Sequence, residues 1–214
     1  MVKLLDALKD VSLTSLDISS TGCGFSTASK LAELLSGATK FGAAVEALAI
    51  GANPIGTEGG NILIEAIQSS NLKTIDIGKP LPLQGKYESD TADLADSGMG
   101  PGQAVILAWW LTTDAAAALT NTCLLHNPLG EGVNEIIKVF EETPRLRTLC
   151  GFEEGVEQID WKDSGKGPAD VALLSAELRV GRAVAVARID ASGDFTRHLA
   201  SPVETHTLLL HAYS

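Results

Sequence analysis

Leu13-Thr-Ser-Leu16-Asp-Ile18-Ser-Ser-Thr21 carries aliphatic residues at its first, fourth and sixth places and a small polar residue at its ninth. The same template returns as Val45-Glu-Ala-Leu48-Ala-Ile50-Gly-Ala-Asn53 and as Leu72-Lys-Thr-Ile75-Asp-Ile77. It returns again as Leu119-Thr-Asn-Thr122-Cys-Leu124-Leu-His-Asn127 and as Val156-Glu-Gln-Ile159-Asp-Trp161-Lys-Asp-Ser164. Weaker copies begin at Ser89 and Val186, and Leu146 and Leu149 open another that stops at Gly151. The fourth and sixth places alternate with period two. Both therefore lie on one face of a short strand, and the residue between them points to the other face. Asparagine suits the ninth place because its side chain hydrogen-bonds backbone groups where the chain leaves the strand.

Behind most strands the spacing becomes helical. Ala28, Leu31 and Leu35 are spaced three then four, as are Gly60, Leu63 and Ile67; Ala104, Leu107 and Leu111; and Val171, Leu174 and Leu178. Each set predicts one inward stripe of an amphipathic helix. The unit from Leu119 slips by one and uses Val133, Ile136, Ile137 and Phe140. Pro101 and Pro168 fall where a first helical turn tolerates proline. A strand and a helix in about 28 residues bury no core alone, so neighbouring units are expected to stack as a parallel sheet beside a layer of helices. Two stretches break the rhythm. Pro80 and Pro82 interrupt the helical pattern in Lys79–Ser89, and a second gap falls at Cys150–Gly155. Both are read as loops in place of a helix.

The stretch Leu119–Gly132 resembles the leucine-rich repeat of ribonuclease-inhibitor type, and the resemblance covers roughly residues 4 to 196. It implies an α/β solenoid with irregular repeats, a curved parallel sheet on the concave side and helices on the convex side. The expected domain is 1–197, with 198–214 as a C-terminal cap, incomplete repeat or tail. It also implies a non-catalytic role, in which a scaffold, adaptor or sensor fragment binds a protein partner on the concave face. The family includes the Ran GTPase-activating protein, so regulation of a small GTPase is the second functional expectation.

Composition narrows the classes. A net charge of −11 opposes nucleic-acid binding, which needs cationic side chains gathered against phosphates. It favours a basic protein partner. The N-terminus is charged within its first turns, and apolar runs such as Ala104–Leu111 are far too short to span a bilayer. A soluble, cytoplasmic protein is expected. Cys23, Cys123 and Cys150 show neither metal-ligand nor redox spacing and read as buried free thiols. His198, His206 and His211 match no ligand motif, the glycine clusters lack phosphate-loop spacing, and no nucleophile motif occurs. No metal, cofactor or catalytic residue is expected.

The residues between the inward aliphatics form a column: Asp17, Ala49, Asp76, Asp93, Cys123, Asp160 and Asp190. On neighbouring strands its five aspartates would make an acidic platform. The competing reading holds them as consensus residues kept by solvation and turn hydrogen bonds. Trp109 falls on the outer helix face, either as an exposed binding anchor or as a cover for the Lys79–Ser89 loop or a neighbouring helix. Trp110 is expected to be partly buried.

Overall fold

Short strands form at the template's fourth place, where one inward aliphatic is flanked by residues facing away from the core. The computed structural model describes residues 1–182 and 184–192. Its strands are β1 (Ser15–Asp17), β2 (Ala47–Ala49), β3 (Thr74–Asp76), β4 (Pro80–Pro82), β5 (Thr91–Asp93), β6 (Asn121–Cys123), β7 (Val156–Asp160) and β8 (Val184–Asp190). The helices are α1 (Val2–Leu8), α2 (Phe25–Ser36), α3 (Lys40–Ala44), α4 (Gly56–Gln68), α5 (Pro101–Leu111), α6 (Val133–Glu142) and α7 (Pro168–Val180). The segment 198–214, with His198, His206 and His211, lies outside the described residues.

The curved leucine-rich-repeat solenoid expected from the template is not the fold that forms. The strands make three separate short sheets, one of four strands in the order β1-β2-β3-β4 and two of two strands, β5-β6 and β7-β8. The first sheet is mixed. β1, β2 and β3 run parallel, but β4 pairs antiparallel to β3, with Ile75 opposite Leu81. The chain therefore turns back at Ile77–Lys79, and β4, at the start of the Lys79–Ser89 stretch, takes the edge of β3 that a parallel β5 would need. The second break has a different cause. After β6 the chain makes only isolated bridges, Asn121 to Thr148 and Cys123 to Cys150. Gly151 then leaves at φ 75°, a conformation that favours glycine. A Cβ there would sit 2.9 Å from that of Cys123.

The helical layer and the core join what the strands leave apart. α2 packs on α4, α4 on α5, α5 on α6 and α6 on α7. One hydrophobic cluster runs from Leu5 to Ala176. Close approach of α4 and α5 depends on glycine, since a Cβ on Gly60 would fall 2.6 Å from the Gly102 carbonyl oxygen. The expected stripes are buried in α2, α4 and α5. In α7 the inward face is shifted: Leu174 is buried as expected, but Asp170, Leu173 and Glu177 are buried with it, whereas Leu178 is exposed.

Two asparagines hold successive turns together. Asn53 accepts from the Thr21 and Cys23 N–H groups (3.1 and 2.9 Å) and donates to the Ile18 and Ile50 carbonyls (2.8 and 3.1 Å). Asn127 accepts from Ser97 and Met99 and donates to Leu94 and Leu124 in the same way. The residue just before the ninth place is left-handed in five units: Ser20, Ala52, Asp96, His126 and Asp163. None of the five is glycine, so each of these turns carries backbone strain.

Candidate binding cleft

The five aspartates stand at the ends of their strands, where their first task is local. Each Oδ1 accepts the backbone N–H two residues on: Ser19 for Asp17, Gly78 for Asp76, Ala95 for Asp93, Lys162 for Asp160 and Ser192 for Asp190. That bond holds the Asp17 carboxyl below its ordinary range. For Asp190 the Ser192 hydroxyl is the larger cause and the Ser192 N–H the next. The turn role therefore belongs to every one of these residues, as the competing reading held.

The carboxylates do not form one unbroken line. Asp17 and Asp76 share the first sheet with Ala49 between them in register. Asp93 faces Cys123 in the second sheet, and Asp160 lies beside Asp190 in the third. Trp109 is less exposed than an outer helix position suggests. It is half-buried and lines a recess with Leu83 and Gln84, so it packs beside the chain that follows β4. Trp110 is fully buried rather than partly so. Its indole N–H donates to the Pro82 carbonyl at 2.7 Å, and Tyr87 meets its ring edge-on at 5.6 Å.

The structure brings Asp93 together with residues that the template did not single out. A cleft of about 660 Å³ opens between the outer face of β5–β6 and the chain after Cys150. Asp93 and Cys123 lie on its strand side, with Arg147 beside them; Phe152, Glu153 and Glu154 form the opposite wall. Arg147 is anchored by its N–H to the Thr120 carbonyl at 2.7 Å, and its guanidinium reaches Glu154 at 2.8 Å. This pairing lowers the Glu154 carboxyl and raises the Arg147 guanidinium. Asp93 and Glu153 are exposed, and Phe152 is half-buried against Trp161, with ring centroids 6.4 Å apart.

Sequence reasoning missed Phe152, Glu153 and Glu154 as site residues because they belong to the Cys150–Gly155 gap in the pattern, and Arg147 because it falls in the truncated copy that Leu146 opens. The gap itself was the available signal. The cleft lining combines carboxylates, one guanidinium, an aromatic ring and the Cys123 thiol. Burial pushes the Cys123 thiol up, as it does that of Cys150, so neither is disposed to be a thiolate. Among the described residues no cluster of His, Cys, Asp and Glu is suited to a metal ion, and no helix is long and apolar enough to cross a membrane. Comparison with models of known protein families and with curated protein sequences finds no match. The likeness to leucine-rich repeats therefore rests on the residue pattern alone.

Proposed function

We propose that this chain is a non-catalytic protein-binding module that receives a basic segment of a protein partner in the cleft between β5–β6 and the Phe152–Glu154 wall. The observation that carries the reading is the composition of that cleft. Two exposed carboxylates, Asp93 and Glu153, stand around a half-buried aromatic ring, and a third, Glu154, is engaged by a single internal cation, Arg147. Carboxylates pair with lysine or arginine, and an aromatic face adds a cation–π contact and apolar cover for the side-chain stem. The net charge of −11 favours encounter with a basic partner. The unpaired thiols suit a reducing compartment, so the proposal places the protein in the cytoplasm.

Calorimetric titration with a short lysine- and arginine-containing peptide tests the reading. Changing Asp93→Asn, Glu153→Gln and Glu154→Gln together keeps the Asp93 turn acceptor and removes three charges. We expect at least about a tenfold loss of affinity, on the scale of charge-assisted hydrogen bonds. The control changes Glu58, Glu65 and Glu135 to Gln, all exposed on helices. Equal loss in both variants would mean that only net charge is sensed, and would overturn the assignment to the cleft.

A further inference from the structure

Behind the cleft lies a buried carboxylate that the binding face does not itself present. Glu177 sits on α7 and is 1% exposed. Its Oε1 accepts from the Thr148 hydroxyl at 2.7 Å and from the backbone N–H groups of Leu149 and Cys150. The Thr148 hydroxyl, donating to Glu177, accepts the Phe152 N–H at 3.1 Å and the Cys150 N–H at 3.2 Å. A continuous relay thus runs from α7 through Thr148 to the residue that begins the acidic wall. The other side of the segment is tied to β6, where the Leu124 N–H donates to the Leu149 carbonyl at 2.8 Å.

The arrangement answers a need created by the gap in the pattern. The chain between α6 and β7 carries no helix of its own, and its N–H groups at Leu149 and Cys150 face inward without a strand partner. A leucine at position 177 would leave the Leu149 N–H unpaired in the core and Cys150 with only its 3.2 Å bond to the Thr148 hydroxyl, at a cost in stability. A carboxylate satisfies both and the Thr148 hydroxyl with one side chain, through charge-assisted bonds. Burial still opposes the charge and raises the Glu177 carboxyl, with those bonds acting the other way. Its second oxygen, Oε2, is buried without a partner. Such a group is tolerated where the position it fixes matters.

We infer that Glu177 is a positioning residue for the cleft, holding Phe152, and with it the wall that carries Glu153 and Glu154, in the conformation that receives the ligand. This rests on the reading of the cleft as the binding site. Residue-resolved amide hydrogen exchange, paired with the basic-peptide titration, tests it on the wild type, Thr148→Val, Glu177→Gln and Glu177→Ala. Thr148→Val should speed exchange at Phe152 by at least about tenfold while Ile75 in β3 is unchanged. Glu177→Ala should speed Leu149, Cys150 and Phe152 together. Glu177→Gln keeps an oxygen acceptor and should leave them within about threefold of wild type. Peptide affinity should fall in Thr148→Val and Glu177→Ala and be retained in Glu177→Gln. Should Glu177→Ala fail to fold, the isosteric Thr148→Val decides. Unchanged exchange at Phe152 in Thr148→Val, or full peptide affinity despite faster exchange, would overturn the inference. Exchange needs no ligand, so a wild type that binds no peptide would sink the binding reading and leave the Glu177–Thr148–Phe152 coupling standing on its own measurement.

Discussion

At the scale of single residues, the polar side chains in this core are placed by backbone groups that would otherwise be orphaned. Asn53 answers two N–H groups and two carbonyls belonging to two different turns, at 3% exposure. Its replacement by alanine takes the acceptor from the Thr21 and Cys23 N–H groups, while the Ile18 carbonyl keeps the Thr21 hydroxyl and the Ile50 carbonyl keeps the Gln103 amide, and Asn53→Ala should destabilise the fold by about 2 kcal/mol. Urea unfolding measures this, and a loss below about 1 kcal/mol would show that water takes over the asparagine's role. The ninth-place asparagine was legible from the template because its chemistry is tied to a turn. The left-handed Ala52 beside it was not, since alanine carries no signal for positive φ.

At the scale of elements, α7 shows where periodicity fails. Its apolar residues include Leu173, Leu174 and Leu178, so stripes displaced by one residue describe it almost equally well. The three-then-four spacing selects Val171, Leu174 and Leu178. The structure buries Leu174 but leaves Val171 half-buried and Leu178 exposed, and buries Asp170, Leu173 and Glu177 as well. Backbone demand decides the matter. Asp170 accepts the His126 and Gly167 N–H groups, both at 2.7 Å, and Glu177 answers Leu149 and Cys150. A hydrophobicity pattern cannot register this, because it treats every acid as a solvent-facing residue. The observed face makes opposite demands on two leucines. Leu173→Ala should destabilise by about 3 kcal/mol, whereas Leu178→Ala, at an exposed position, should change stability by under about 1 kcal/mol. Thermal or denaturant melts that ranked them the other way would restore the stripe through Leu178.

For the whole molecule, the template located most strands and helices and implied parallel pairing of neighbours, which forms for β1–β2, β2–β3, β5–β6 and β7–β8 but not across the two interruptions. Pairing is settled at edges, by residues outside the template. Pro80–Pro82 folds back to occupy β3, and Gly151 leads the chain away from β6. Both interruptions were visible as breaks in spacing, yet a break does not reveal that it divides a sheet. The same divisions make the candidate site. The five aspartates, dispersed over three sheets, act first as turn residues, and one of them, Asp93, borders a cleft whose other wall exists because a helix is missing there. The most direct measurement of this account is a heteronuclear NMR titration of the isotopically labelled protein with the basic peptide. Binding at the cleft predicts shift changes concentrated at Thr91–Ala95, Asn121–Cys123, Arg147 and Gly151–Glu154. Changes centred on the outer helices, or spread evenly over acidic residues across the surface, would contradict it.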